Sequence, residues 1–335
     1  MIENERIDVA VFGAGRIGTI HAGNLARHPR ARLRYVVDMH APAAEALAAK
    51  HAAQVASVEQ ALADPAVAAV VIGSSTDTHA DLIQRAAAAG KAIFCEKPVD
   101  LDVERARACA AAVKKAGVVC MIGFQRRFDP TFATLKQRLD AGEIGIPEVL
   151  VVTSRDPAPP PASYIAGSGG VFKDMLIHDF DIFRWILGGV AVSVHATGGC
   201  PNMPEVAAAG DISHAAVTLR TRDGALCQIN TSRRAAYGYD QRFEVLGSKG
   251  LLQAGNVRPT EVVAWGEQVI SSDKPEAFFL ERYRAAYALE IEHFFDALVN
   301  GTSVRTTIED GIKALELAEL ATRSWREGKA IECAI

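Results

Sequence analysis

The first third of the chain alternates short apolar runs with longer mixed stretches. "RIDVAVFGA", "RLRYVVDM", "VAAVVIGSS", "KAIFCEKP" and "VVCMIGF" read as five strands. Between them lie helices: one through Ala22–Arg27, then "APAAEALAAKHA", "HADLIQRAAAAG" and "DVERARACAAAVKKAG". Strands alternating with helices over short links predict a parallel sheet with helices on both faces.

The pattern changes near Gly123. "FDPTFATLKQRLDAGEIG" reads as a helix, Pro147 precedes the strand "EVLVVTSR", and "DPAPPPASYIAGSGG" is a proline-rich loop. An apolar helix follows that carries "DMLIHDFD" at 174–181. Strands then succeed one another: "AVSVHATG", "ISHAAVTLRT", "GALCQINTS", "DQRFEVLGS", "GLLQAG" and "TEVVAW". Turn signals at Arg222-Asp223-Gly224 and in the Gly-Ser-Lys-Gly at 247–250 separate them, so this sheet is expected to be mainly antiparallel. Ala215, Val217 and Leu219 point to one face, expected to be covered by helix; His214, Thr218 and Arg220 point to the other. Two helices, near Glu281–Asn300 and Ile308–Glu327, end the chain.

Composition narrows the class without naming a function. At 335 residues the chain is long enough for two domains. A net charge of -4 with no basic block argues against nucleic acid or an acidic membrane as partner. The N-terminus lacks a signal-peptide core, and no apolar run spans a bilayer. The six cysteines make no CxxC pair or zinc spacing, which suits reduced thiols in a cytoplasmic protein.

"VAVFGAGRIG" sets Gly13, Gly15 and Gly18 in G-x-G-x-x-G spacing, directly after the first strand and at the start of a helix. In that setting Gly13 permits the tight turn, Gly15 lets the backbone approach a pyrophosphate, and Gly18 allows close helix–strand packing. Arg16 and Ile17 lie within the same turn. Asp38 ends the second strand about 20 residues on, where an acid binds the ribose hydroxyls of NAD and repels the extra phosphate of NADP. In "GSSTDTH", Ser74, Ser75 and Thr76 either contact the cofactor or belong to the capping of the next helix, for which Asp77 or Thr78 would serve. His79 reads as packed at that helix start.

"CEKP" at 95–98 ends the fourth strand, so Lys97 points toward the cofactor crevice, with Glu96 counted among the cofactor contacts. A partly desolvated lysine has its pKa lowered and serves in proton transfer, and the bond before Pro98 is a candidate for the cis form. Asp174 and His178 are four residues apart, on one face of a continuous helix, with Asp181 bordering it and Asp179 rotated away as a solvated or capping charge. Taken alone, such a pair is more often structural than a site. A third ligand candidate is missing, so no metal is expected.

EKP after a nucleotide-binding unit, then "GFQRRFDP", "SRDPAPPPASYI", "GGVFKDMLIHDFDIFRWILG" and "SRRAAYGYDQRFEVLGSKG", resembles the Gfo/Idh/MocA oxidoreductases over essentially the whole chain, and within them the inositol 2-dehydrogenase group. The resemblance implies an α/β Rossmann domain, placed here at residues 1–122, followed by an α+β domain with an open, mainly antiparallel sheet at 123–335, the terminal helices able to pack back on the first domain. It implies NAD as cofactor, a cyclic polyol or sugar as substrate and a homotetramer. It places the catalytic set on Lys97, Asp174 and His178, and substrate contacts on Arg126, Asp156 and Tyr237, with Tyr239 an alternative to Tyr237. The expected activity is oxidation of a ring hydroxyl of myo- or scyllo-inositol. A pyranose 1-dehydrogenase of the same family and a non-catalytic NAD-binding sensor are the other readings.

Overall fold

Strand β1 (Ile7–Phe12) is a continuous apolar run buried from Asp8 onward, as expected of a central parallel strand covered on both faces. The computed structural model describes residues 6–335; residues 1–5 of the N-terminal segment lie outside them. Two compact units are present, one of residues up to 128 together with 286–312, the other of 129–285 together with 313–335.

In the first unit β1 leads into α1 (Arg16–Arg27), β2 (Ala31–Val37), α2 (Ala41–Lys50), β3 (Gln54–Val55), α3 (Val58–Ala63) and β4 (Val67–Ile72). Then come α4 (Thr76–Ala88), β5 (Ala92–Glu96), α5 (Val103–Ala116) and β6 (Cys120–Gly123). The sheet order is β3-β2-β1-β4-β5-β6, with every pair parallel. The order reverses between β1 and β4, and ligands of such sheets bind at the carboxyl ends beside that switch point. β3 and α3 left no sign in the hydrophobic pattern because β3 is two exposed residues and α3 six. Local chemistry sets the boundaries. Ser57 and Gln60 form a reciprocal capping box on α3, and Asp102 accepts from the Glu104 and Arg105 amides to start α5.

The second unit opens with α6 (Pro130–Asp140), which has Pro130 in its first turn and Asp129 as its cap. It continues through β7 (Pro147–Arg155), α7 (Ala162–Gly167), α8 (Gly170–Asp174), α9 (Ile177–Leu187), β8 (Ala191–Gly199) and α10 (Pro204–Ala208). β9 (His214–Thr221), β10 (Leu226–Ser232), β11 (Asp240–Gly247), β12 (Gly250–Ala254), β13 (Val263–Trp265), β14 (Ile270–Ser272) and α11 (Phe279–Arg282) follow. α12 (Arg284–Asn300) belongs almost wholly to the first unit; α13 (Ile308–Glu327) and β15 (Ile331–Glu332) end the chain. The seven-stranded sheet runs β12-β11-β7-β10-β9-β8-β15, antiparallel except for the β10–β7 pair.

β9 alternates exposed and buried residues along its whole length, with Ala215, Val217 and Leu219 inside and His214, Thr218 and Arg220 outside. Helices cover the inner face: Phe132 of α6 stacks on Phe243, and Ser324 of α13 accepts from the Ala196 amide of β8. All six cysteines are free thiols. No helix among the described residues is long and apolar enough to cross a membrane.

Candidate active site

The glycine turn has the construction its spacing predicts. Gly13 has φ +104°, and a Cβ there would come within 2.6 Å of the Gly73 and Ser74 backbone. A Cβ on Gly18 would fall on the Gly13 carbonyl, so helix and turn can approach only because both residues are glycine. Gly15 is different: nothing lies within 4 Å of its Cβ position. It is the N-cap of α1, no side chain caps this helix, and its first turn holds no acid. The helix therefore offers its first amides and its positive end outward, beside open space where a pyrophosphate fits. Arg16 is exposed and Ile17 half-buried in that same first turn.

Asp38 lies just past β2. The Ala14 amide donates to its Oδ2 (2.6 Å) and the His40 amide to its Oδ1 (2.7 Å). The carboxylate is thereby fixed against the glycine turn, the place a ribose-binding acid requires. Ser75 is the N-cap of α4 but its side chain makes no capping bond; Thr78 donates to the Ser75 carbonyl and shares a hydrogen bond with Ser74. Neither Asp77 nor Thr78 is the cap residue. Thr76, half-buried, opens the helix. His79 is buried, as its position suggested.

Lys97 follows β5, half-buried, and the Lys97–Pro98 bond is cis. Glu96, expected among the cofactor contacts, is buried, and its carboxylate lies 2.7 Å from His21 Nε2. Arg126 is also buried, in a 3-10 turn (Gln125–Phe128) just after β6.

In the second unit the structure corrects two expectations. Asp174 and His178 do not share one continuous helix. α8 ends at Asp174 and α9 starts at Ile177, so Met175 and Leu176 break the run between them. The equal spacing of apolar residues hid the break, because both short helices bury apolar side chains. Asp179 is not solvated: it is fully buried in the first turn of α9, and so is Asp181. A rotation of 100° from His178 led inward because this helix is covered on several sides.

Asp174 is gripped by two groups that the sequence did not single out. Tyr164 donates to its Oδ1 (2.9 Å) and Arg233 to its Oδ2 (3.4 Å). Arg233 is fully buried and also donates to Asp211 (2.8 Å). Its partners lie 22 and 59 residues away in the chain, so no local pattern reveals them. His178 is buried at the start of α9.

Asp156 is half-buried, its amide donating to the Ser232 carbonyl. Tyr237 is 40% exposed, donates to Asp240 (2.6 Å) and accepts from Arg155 (2.8 Å). Burial and the Asp240 bond push its phenol pKa up. Burial would raise the Asp240 carboxyl, but hydrogen bonds from Tyr237, Asn256 and Arg242 outweigh it and hold it below the usual range. Tyr239 is buried against Phe278 and Tyr283, which leaves Tyr237 as the tyrosine of the pair that reaches the surface.

An uncapped glycine turn at the first strand, an acid at the end of the second and a lysine at the end of the strand next to the switch point define a dinucleotide-dependent oxidoreductase fold. The chain belongs to the Gfo/Idh/MocA oxidoreductase family. The model of that family's NAD-binding Rossmann fold matches residues 7–124 and the model of its C-terminal domain matches residues 132–253. The chain is 46% identical to an inositol 2-dehydrogenase of Rhizobium meliloti over 325 residues, 97% of this chain and 98% of the relative. Among solved structures, a myo-inositol dehydrogenase from Corynebacterium glutamicum superposes with a TM-score of 0.94 at 43% identity, covering 98% of each chain. A scyllo-inositol dehydrogenase from Lactobacillus casei, solved with NAD(H) and scyllo-inositol bound, gives 0.92 at 28% identity over 98% of this chain and 99% of that one. The protein is thus an NAD-binding oxidoreductase.

Proposed function

We propose that the protein is an NAD-dependent inositol dehydrogenase that oxidises a ring hydroxyl of myo- or scyllo-inositol to the inosose. The observation that carries this reading is the near full-length similarity to an inositol 2-dehydrogenase at 46% identity. When bound, NAD supplies the hydride acceptor. The first domain (residues 1–122) holds it through the α1 amides, the turn from Gly13 to Gly18, and Asp38. Groups of the remainder bind the polyol, with Arg126, Asp156 and Tyr237 as its contacts.

The substrate carbon gives up a hydride, its hydroxyl gives a proton to His178, and the carbon–oxygen double bond forms. Asp174 orients the imidazole and stabilises its cation; Tyr164 and Arg233 hold that carboxylate in place. Lys97 donates a hydrogen bond to the reacting oxygen. The active form is a cytoplasmic homotetramer.

General-base assistance contributes about 10²–10⁴-fold, so His178→Ala is expected to lower turnover by that order while NAD binding persists. Near-normal turnover in this variant sinks the role of His178. A panel of inositol isomers and aldoses with NAD and NADP, following the reduced cofactor and identifying the product, tests the substrate. Faster turnover of an aldose moves the reading to a pyranose dehydrogenase.

A further inference from the structure

Lys97 stands between two residues that are each held by a buried histidine. Before it, Glu96 Oε1 lies 2.7 Å from His21 Nε2. The His21 ring packs edge-on against Phe94 and Tyr287. The Glu96 side chain has its place because its partner across the sheet is Gly123: a Cβ there would come within 3.0 Å of the carboxylate carbon. After Lys97, the Pro98 carbonyl lies 2.8 Å from His79 Nδ1, and the Ser74 carbonyl lies 3.2 Å from His79 Nε2. Burial pushes His79 toward its neutral form, so its single proton belongs on Nδ1, serving the shorter bond to Pro98. Through that bond the histidine ties the chain after Lys97 to the start of α4.

A third acid completes the first of these anchors. Glu290 of α12 is fully buried, and one of its oxygens, a His21 ring nitrogen and a Glu96 oxygen all lie within 4.8 Å of one another. Among the described residues neither Glu290 oxygen has a hydrogen-bond partner. Two adjacent carboxylates in so apolar a place cannot both be ionised at acceptable cost. Burial, and then the Glu96 charge, push the Glu290 carboxyl well above the usual range. Glu290 is thus the member of the cluster that burial drives toward its neutral form.

We infer that His21 and His79 are positioning residues for Lys97, one holding the side chain before it and the other the carbonyl after it, with Glu290 as the third member of the buried cluster around Glu96 and His21. Fixing the backbone on both sides of Lys97 fixes the point from which its flexible four-carbon stem starts. The kinetic part of this inference rests on Lys97 being catalytic, as proposed above; the positional part does not.

The test is competitive acetylation of the full-length protein, read by peptide mass spectrometry, in wild type, His21→Gln, His79→Gln and Glu290→Gln. The exposed Lys50, Lys114 and Lys115 serve as internal references. Lys97 reactivity is expected to change at least about threefold while the references hold steady. Glu290→Gln, close in shape to the native residue, covers the case in which a histidine variant does not fold. Unchanged Lys97 labelling in the folded variants overturns the inference. So does a stoichiometric divalent metal in the purified protein that Glu290→Gln abolishes, since the cluster is then a cation site. With NAD and myo-inositol, His79→Gln is expected to lower kcat about tenfold or more with little change in KM for NAD. In a Lys97→Met background the same substitution should add no further loss. Normal turnover by Lys97→Met alone removes the catalytic reading of Lys97 and leaves the labelling result standing.

Discussion

Lys97 and Asp174 both sit at the end of a regular element, β5 in one case and α8 in the other, and they are held by different means. On either side of Lys97, the Glu96 side chain meets His21 and the Pro98 carbonyl meets His79. Asp174 is gripped on its own carboxylate, by Tyr164 and by a buried arginine shared with Asp211. The first arrangement fixes backbone and balances protons. The second fixes a charge with a countercharge. A substitution in the second is therefore expected to act mainly on stability, and one in the first mainly on kinetics and protonation.

The largest effect is expected at Arg233. Arg233→Met leaves Asp174 and Asp211 without their shared cation. Breaking such a buried pair costs about 3–5 kcal/mol, measurable by urea denaturation. A loss near zero means that the charge clamp does not hold this region, and the contrast with Lys97 disappears.

Asp38→Asn tests a carboxylate held by two backbone amides. It removes the charge expected to accept from ribose, and hydrogen bonds to charged groups are worth about 1.5–3 kcal/mol, or about 10–100-fold in affinity. NAD affinity should fall within that range and the preference over NADP should shrink. Unchanged discrimination in a fluorescence titration with both cofactors shows that Asp38 does not set it.

Gly18 and Gly15 separate packing from ligand access within one turn. Gly18→Ala drives a methyl onto the Gly13 carbonyl, and overpacking of this kind costs about 1–3 kcal/mol. Gly15→Ala meets nothing within 4 Å, so the melting temperature should barely move while NAD binding weakens. Equal thermal shifts in the two variants would contradict this division.

Glu290→Gln, the mildest change in shape, is read against pH rather than at one condition. An acid that keeps its proton when folded binds more protons in the native state than in the unfolded one. Above the unfolded carboxyl range, about 4.3, wild-type stability should fall by about 1.4 kcal/mol per pH unit from this group until its folded pKa is reached. Glutamine lacks that slope, so the variant should gain on wild type as pH rises from about 5 toward the raised folded pKa. Parallel stability curves mean that Glu290 is not held neutral.

How legible each region was follows the same contrast. In the first unit, parallel strands announce themselves as unbroken β-branched runs, and the glycine spacing has a local steric meaning that Gly13 and Gly18 bear out. His21 also left a trace: it lies on the buried face of α1 with Gly18, Ala22 and Leu25, a polar residue in an apolar stripe. In the second unit the alternation of β9 was readable, but the helix break at Met175–Leu176 and the burial of Asp179 were not. A single period of apolar residues suits one long helix or two short ones equally well. β15 escaped for another reason, being two residues that become a strand only by pairing with β8.

Residue order and periodicity were enough for the α/β and mainly antiparallel classes and the dinucleotide turn. These depend on interactions within one turn or one strand pair, where spacing along the chain equals spacing in space. The Arg233 clamp, the His21–Glu96–Glu290 cluster and the bond from His79 to Pro98 exist only once distant segments meet. Their free energy comes from desolvation and charge balance among groups as far apart in the chain as His21 and Glu290, and those terms have no value until the fold has removed the water between them.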